Sequence, residues 1–171
     1  EGSKQKNAAI ELLEHHSSKY GLQPRSSLSL ANLYLSTDKN KAISEYEKLI
    51  KIQPNNIVLL NNISWLYMEK ELFSQALLHA EKAYTLAAEV PNVVDTYAQV
   101  LLKSGDKAEA LVKAELAYKL SKAEDIDIAL NFAEALLANN KKAQAKRILL
   151  KINDKTETKK QKIKHKKLLT Q

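Results

Sequence analysis

The sequence predicts an all-α chain of antiparallel helix pairs stacked in series, and three observations predict it. The 171 residues include only three Gly and three Pro, which leaves little room for an all-β fold rich in tight turns. Ala, Leu, Lys and Glu dominate, which is the composition of helices. Alanines at positions 42, 76, 110 and 145 recur at intervals of 34, 34 and 35 residues, and each opens the same apolar pattern.

That pattern defines the second helix of each pair. Four residues after the alanine stand Tyr46, Ala80, Ala114 and Leu149, and three further stand Leu49, Ala83, Ala117 and Ile152. Apolar residues at i, i+4 and i+7 share one face of a helix. A first helix precedes each of these and carries an apolar-small pair: Leu30-Ala31, Ile63-Ser64, Tyr97-Ala98 and Phe132-Ala133. Tyr34, Tyr67, Leu101 and Leu136 follow each pair three residues later. The small residue allows two helices to approach closely.

Short polar breaks separate the two helices of each unit: Thr37-Asp38-Lys39, Glu69-Lys70-Glu71, Ser104-Gly105-Asp106 and Asn139-Asn140-Lys141. Gly105 suits a position just past a helix end, where the backbone turns left-handed, and Asn140 serves there less well. Pro24 and Pro91 sit seven residues before the small residue of a first helix, where proline is tolerated at the first turn. Pro54 falls after a second helix and stops it.

A helix-turn-helix of 34 residues with this small-residue and alanine pattern resembles the tetratricopeptide repeat family. The resemblance covers residues 24–152 as four units, and residues 4–18, with Ala9 and Leu13, are similar to the second helix of a preceding unit. The implied division is 1–23 as a partial repeat, 24–56, 57–90, 91–125 and 126–154 as four repeats, and 155–171 as a basic capping helix or tail. The sequence departs from the family where a first-helix tryptophan is usual: Ser27, Leu60, Val94 and Ala129 stand there. The resemblance implies a right-handed superhelical α-solenoid with a concave surface. More narrowly, Asn61-Asn62-Ile63-Ser64-Trp65-Leu66-Tyr67, Val94-Asp95-Thr96 and Ala135-Leu136-Leu137-Ala138-Asn139 are similar to C-terminal repeats of bacterial lipoproteins that accompany exopolysaccharide export and PEP-CTERM sorting. That likeness implies a bacterial periplasm or cell envelope, with the cytoplasm as the other setting.

In the family the first helices line the concave face. The resemblance therefore implies a partner-binding groove formed by Asn32, Asn61, Asn62, Trp65, Met68, Asp95, Gln99, Leu102, Leu130 and Glu134. Asn and Gln side chains can bond an extended peptide through both donor and acceptor, while Trp65, Met68 and Leu102 offer apolar contact. Asn61 and Asn62 have a second reading as helix-helix hydrogen bonders, and Trp65 as a packing residue. Some family members clamp a C-terminal carboxylate with two Asn and several basic residues. Asn32 and Asn62 match the pair, but Leu28, Asn92 and Thr96 occupy the matching basic positions, so such a clamp is not expected. Asp95, Asp127 and Glu134 make the second half of the groove acidic, which points to a neutral or basic ligand segment.

Charge is unevenly distributed. The net charge is +7, yet residues 141–171 hold twelve Lys and Arg against Asp154 and Glu157, a local +10 that leaves −3 for the rest. Lys159, Lys160, Lys162, Lys164, Lys166 and Lys167 form a basic tail that could meet nucleic acid or an anionic membrane surface by charge. Aromatic stacking residues are absent from it, and its plainer reading is a polar cap on the solenoid.

Other features exclude chemistry rather than suggest it. Without cysteine there is no disulfide, thiolate metal site or thiol nucleophile. No glycine-rich phosphate loop, HExxH or nucleophile elbow occurs. His15-His16 beside Glu11 and Glu14 reads as a solvated helix, since adjacent histidines diverge by about 100°. Asp125 and Asp127 flank a helix start, where acids cap amides. Asn62-Ile63-Ser64 matches a glycosylation pattern but lies within a helix. No apolar run is long enough to span a bilayer, and the opening Glu1-Gly2-Ser3 reads as a piece excised from a longer chain. The expected function is a non-catalytic scaffold that binds a protein or peptide, with no metal and no cofactor.

Overall fold

The computed structural model describes residues 2–21, 23–156 and 158–171, and its regular elements there are all helical. Glu1, Leu22 and Glu157, which fall in the expected terminal spans, lie outside the described residues. In chain order the helices are α1 (Gly2–Tyr20), α2 (Pro24–Tyr34), α3 (Lys39–Ile52), α4 (Ile57–Glu69), α5 (Phe73–Leu86), α6 (Pro91–Ser104), α7 (Lys107–Leu120), α8 (Ile126–Ala138), α9 (Lys142–Lys151) and α10 (Lys159–Leu169). One 3-10 turn, Asn153–Lys155, precedes α10. The fold is a right-handed superhelical α-solenoid of antiparallel pairs. Each helix packs on its chain neighbour from α1 to α9, and α4, α6, α8 and α10 also pack side by side, forming one layer. We propose the spans 24–56, 57–90, 91–125 and 126–154 as the repeat units of this array.

Local chemistry starts and stops the helices. Asp38 accepts from the amides of Asn40 and Lys41 at 2.9 and 3.1 Å, Asn56 from Val58 and Leu59, Asp106 from Glu109, and Asp125 from Ile128. These side chains satisfy amides that a helix start leaves unpaired. Pro24 and Pro91 open α2 and α6, whose preceding residues provide no side-chain cap. At the far ends of α4, α6 and α8, Glu71, Gly105 and Asn140 take positive φ of 59°, 105° and 60°. In each case the next amide donates five residues back: Leu72 to Tyr67, Asp106 to Leu101 and Lys141 to Leu136. The break after α2 closes differently, with Asp38 N donating to Tyr34 O at 2.8 Å.

Small residues set the distance between helices. Ala42, Ala76, Ala110 and Ala145 are each 0% exposed, and Ala31, Ser64, Ala98 and Ala133 are no more than 1% exposed. Ser27, Leu60, Val94 and Ala129, which replace the family's tryptophan, are also buried. Polar ties repeat with the helices. The Tyr34 hydroxyl donates to Glu14, and the Tyr67 hydroxyl to Glu47, in each case a carboxylate 20 residues back. This places α1 against α2 as α3 stands against α4. Burial raises both phenols above their ordinary value, and the carboxylates reinforce the shift, so both remain donors.

The basic end is ordered on the array. A capping box starts α10, with Gln161 N donating to Thr158 Oγ1 at 3.1 Å and Thr158 N donating to Gln161 Oε1 at 3.2 Å. His165 and Leu168 are buried, and His165 Nε2 lies 2.8 Å from the carbonyl oxygen of Leu149 in α9. From Ile126, which opens α8, to Lys159, which opens α10, is 33 residues, the same step as from Pro24 to Ile57. The tail thus occupies the place of a further first helix.

Two substitutions test this account. Ala76→Leu should cost about 1–3 kcal/mol in urea denaturation, because the added methylenes have no space between α4 and α5; a neutral result would refute the close-approach argument. Gly105→Ala should cost about 1 kcal/mol. A Cβ there meets nothing within 4 Å, so the positive φ alone carries the penalty.

Candidate peptide-binding groove

The helix layer of α4, α6, α8 and α10 walls a cavity of about 890 Å³. Its floor is built from equivalent positions on successive first helices. Trp65, Gln99, Glu134 and Lys167 form one row, at steps of 34, 35 and 33 residues. Thr96, Asn131 and Lys164 form a second row, three residues earlier on the last three helices. Residues three apart are helix-surface neighbours, so the two rows make one continuous strip. Trp65 and Met68 give it apolar surface on α4 and Ile163 and Leu168 on α10, and Trp65 is 37% exposed with the Lys39 ammonium 5.9 Å from its ring centre.

Charge in the strip is largely engaged within the chain. Glu134 receives Lys103 at 2.8 Å and Lys164 at 2.6 Å. Burial works against its ionisation, but Lys164 and Lys103 together outweigh that and hold its carboxyl below the ordinary value. Asp127 accepts from Gln161 Nε2 at 3.2 Å. Asp95 Oδ2 accepts from Asn131 Nδ2 at 2.6 Å, and Lys164 also donates to Asn131. Burial pushes Asp95 up to about 7, with smaller contributions from Asp125 and Asp127, against the opposing effects of Asn131 and Lys164. Two buried polar atoms of α6 have no partner among the described residues: Asp95 Oδ1 and Gln99 Nε2.

A family model described as Tetratricopeptide repeat matches residues 7–156. The chain belongs to the tetratricopeptide repeat family. Solved structures similar to this repeat array include a tetratricopeptide repeat protein from Parabacteroides merdae, with 15% identity and a TM-score of 0.83 over 97% of this chain and 65% of that one. Another is MamA from Desulfovibrio magneticus, residues 41 to the end, with 13% identity and a TM-score of 0.77 over 87% of this chain and 84% of that one. A third is TTC0263, a thermophilic TPR protein of Thermus thermophilus, with 17% identity and a TM-score of 0.77 over 99% of this chain and 93% of that one. These likenesses show the fold. No curated protein matches the sequence.

Half of the expected groove residues of this TPR array line the cavity: Trp65, Met68, Asp95, Gln99 and Glu134. The others lie elsewhere. The Tyr46 hydroxyl donates to Asn32 Oδ1 at 2.7 Å and accepts from Asn62 Nδ2 at 3.3 Å, so these two asparagines tie α2 and α4 to α3. Asn61 Oδ1 is buried without a partner among the described residues, and Leu102 packs against the core. Leu130 is a correction: it is 0% exposed and shares a core cluster with Leu168. Helical phase placed Leu130 toward the groove, whereas α6 and α10 pack on either side of α8 and Leu130 turns into the core.

The basic tail is divided in a way its composition does not reveal. Lys159, Lys160, Lys164 and Lys167 line the cavity, whereas Lys162 and Lys166 do not. The i, i+3, i+4, i+7 spacing of Lys160, Ile163, Lys164 and Lys167 was the available signal. Asn131 and Lys103 were missed, and no motif marks them, because their roles come from Asp95 and Glu134 on neighbouring helices.

Features that look chemical have structural uses. Asp125 caps α8 as expected, while Asp127 bonds α10. Glu14 accepts from Tyr34 and Lys41, and the His16 ring packs 4.9 Å from Tyr20. Among the described residues no group of three or more His, Cys, Asp or Glu is placed to hold a metal. Ile63 and Ser64 of the glycosylation pattern are 0% exposed.

Asp95 gives a pH test. Its native carboxyl binds a proton more tightly than the ordinary value of 3.8, so its stabilising protonation is complete below about 4 and lost as pH rises through about 7. Asp95→Asn keeps an acceptor for Asn131 and removes the charge. It should raise the thermal midpoint at pH 8 by roughly 2–6 °C and do little at pH 4. Equal gains at both pH values would show that Asp95 is not buried as an acid.

Proposed function

We propose that this chain is a non-catalytic scaffold that holds a protein partner by an extended peptide segment laid along the α4–α6–α8–α10 strip. The observation that carries this reading is Gln99. It is 8% exposed, it lines the cavity, and its amide Nε2 has no partner among the described residues. An unpaired buried donor costs about 1–3 kcal/mol, a cost that turning the Gln99 amide toward a peptide carbonyl in the groove would remove. Trp65 and Met68 supply the apolar contact that anchors such a segment. The neighbouring tetratricopeptide repeat structures agree with a scaffold role, and the phrases shared with envelope lipoproteins favour bacterial exopolysaccharide export or protein sorting as its setting. Four of the six tail lysines line the same cavity, which favours the groove over a separate nucleic-acid or membrane surface.

The test is selection of random twelve-residue peptides on the intact chain, followed by calorimetry of the selected peptides. Trp65→Ala combined with Gln99→Ala should weaken binding about tenfold or more while leaving the helical circular dichroism unchanged. Selected peptides that bind this variant as tightly as the parent would sink the groove reading.

A further inference from the structure

We infer that the ligand of this groove is an acidic peptide segment, read by lysines that α10 contributes as the last wall of the strip. The inference rests on the groove reading above and specifies its partner. Taken from the first helices alone, Asp95, Asp127 and Glu134 make the strip acidic and suggest a neutral or basic ligand. The folded chain reverses that sign, because Lys103 of α6 and Lys159, Lys160, Lys164 and Lys167 of α10 line the cavity beside Glu69, Asp95, Asp127 and Glu134. Glu134 is held by two lysines, at 2.8 and 2.6 Å, and Asp127 by the Gln161 amide.

The groups left over are mostly donors. Lys159, Lys160 and Lys167 line the cavity, and among the described residues no carboxylate pairs with them. Lys167 continues the row of Trp65, Gln99 and Glu134, so its charge stands at the end of the path a ligand would follow. Gln99 Nε2, on a side chain that is 8% exposed, is an unpaired donor in the middle of that path. Ammonium groups and an amide donor match carboxylates and peptide carbonyls, and they would repel a lysine-bearing segment. Trp65 and Met68 supply apolar surface on the opposite side, away from the lysines, while Ile163 and Leu168 add some beside them.

Spacing makes the ligand specific. Three helix steps separate the Trp65 position from the Lys167 position. At about 9 Å per step they span roughly 27 Å, which an extended chain covers in about eight residues. The matching segment carries an apolar or aromatic residue at one end and two or more Asp or Glu about eight residues away.

Fluorescence anisotropy with three matched twelve-residue peptides tests this. Each carries one Phe and, eight residues away, a pair of Glu, Gln or Lys. The Glu peptide should bind the intact chain at least tenfold more tightly than the Gln peptide. A Lys160→Glu/Lys167→Glu variant should reverse the order in favour of the Lys peptide. Lys162→Glu/Lys166→Glu, on the part of α10 that does not line the cavity, should keep the original order, and circular dichroism checks that both variants remain helical. Equal binding of the three peptides, or preference for the Lys peptide by the intact chain, overturns the inference. So does a Glu preference lost equally in both variants, or equal competition from an oligonucleotide or from phosphatidylserine vesicles, because either means general attraction to polyanions. If peptides of every charge bind but lose affinity in the Trp65→Ala/Gln99→Ala variant, the groove reading stands and only the acidic specificity fails. If no peptide responds to that variant, the groove reading itself fails.

Discussion

Four alanines with no exposed surface, Ala42, Ala76, Ala110 and Ala145, set the geometry on which everything else rests. With only a methyl group at each position, the second helix of every pair lies close against the first. Ala31, Ser64, Ala98 and Ala133 meet the same requirement from the first helices. Because the spacing recurs with little variation, each pair is placed on the last by nearly the same rotation, and the sum of these rotations is the superhelix. A bulky side chain at any of these points would change one rotation and misalign every helix beyond it.

The groove follows from that regularity. Equivalent positions on successive first helices fall in rows, which is how Trp65, Gln99, Glu134 and Lys167 come to form one strip although 102 residues separate the first from the last. The same stacking that buries the apolar faces also brings charges from different helices together. Glu134 lies between Lys103 and Lys164 of the two flanking first helices, and Asp95 is covered until ionisation becomes unfavourable near neutral pH. The groove therefore differs in sign from the list of its first-helix residues. Its polarity runs from an indole at α4, through amides, to ammonium groups at α10.

The structure also shows that a charge run can be a structural element. Twelve basic residues against two acids, counted by composition, left a capping helix and a tail both open. In the structure α10 starts one repeat length after α8, packs against it as the last helix of the layer, and buries Leu168 and His165. Three apolar residues in an eleven-residue helix were too few to announce an amphipathic face. The spacing from Ile126 to Lys159 is the feature that places it.

Sequence alone determined the fold class, the pairing of helices, the left-handed turn at Gly105 and the burial of the repeated alanines, because each depends on local periodicity or on one residue's backbone freedom. Helical phase, a local property, also proposed ten groove residues, of which Trp65, Met68, Asp95, Gln99 and Glu134 line the cavity. Tertiary structure decided the rest. Asn32 and Asn62 turn to Tyr46, Leu130 goes into the core, and four lysines of α10 become part of the groove wall. Each of these outcomes depends on which side chain from another helix comes within bonding or packing distance. Helical phase tells which way a residue faces, but only the stacked array determines what it faces.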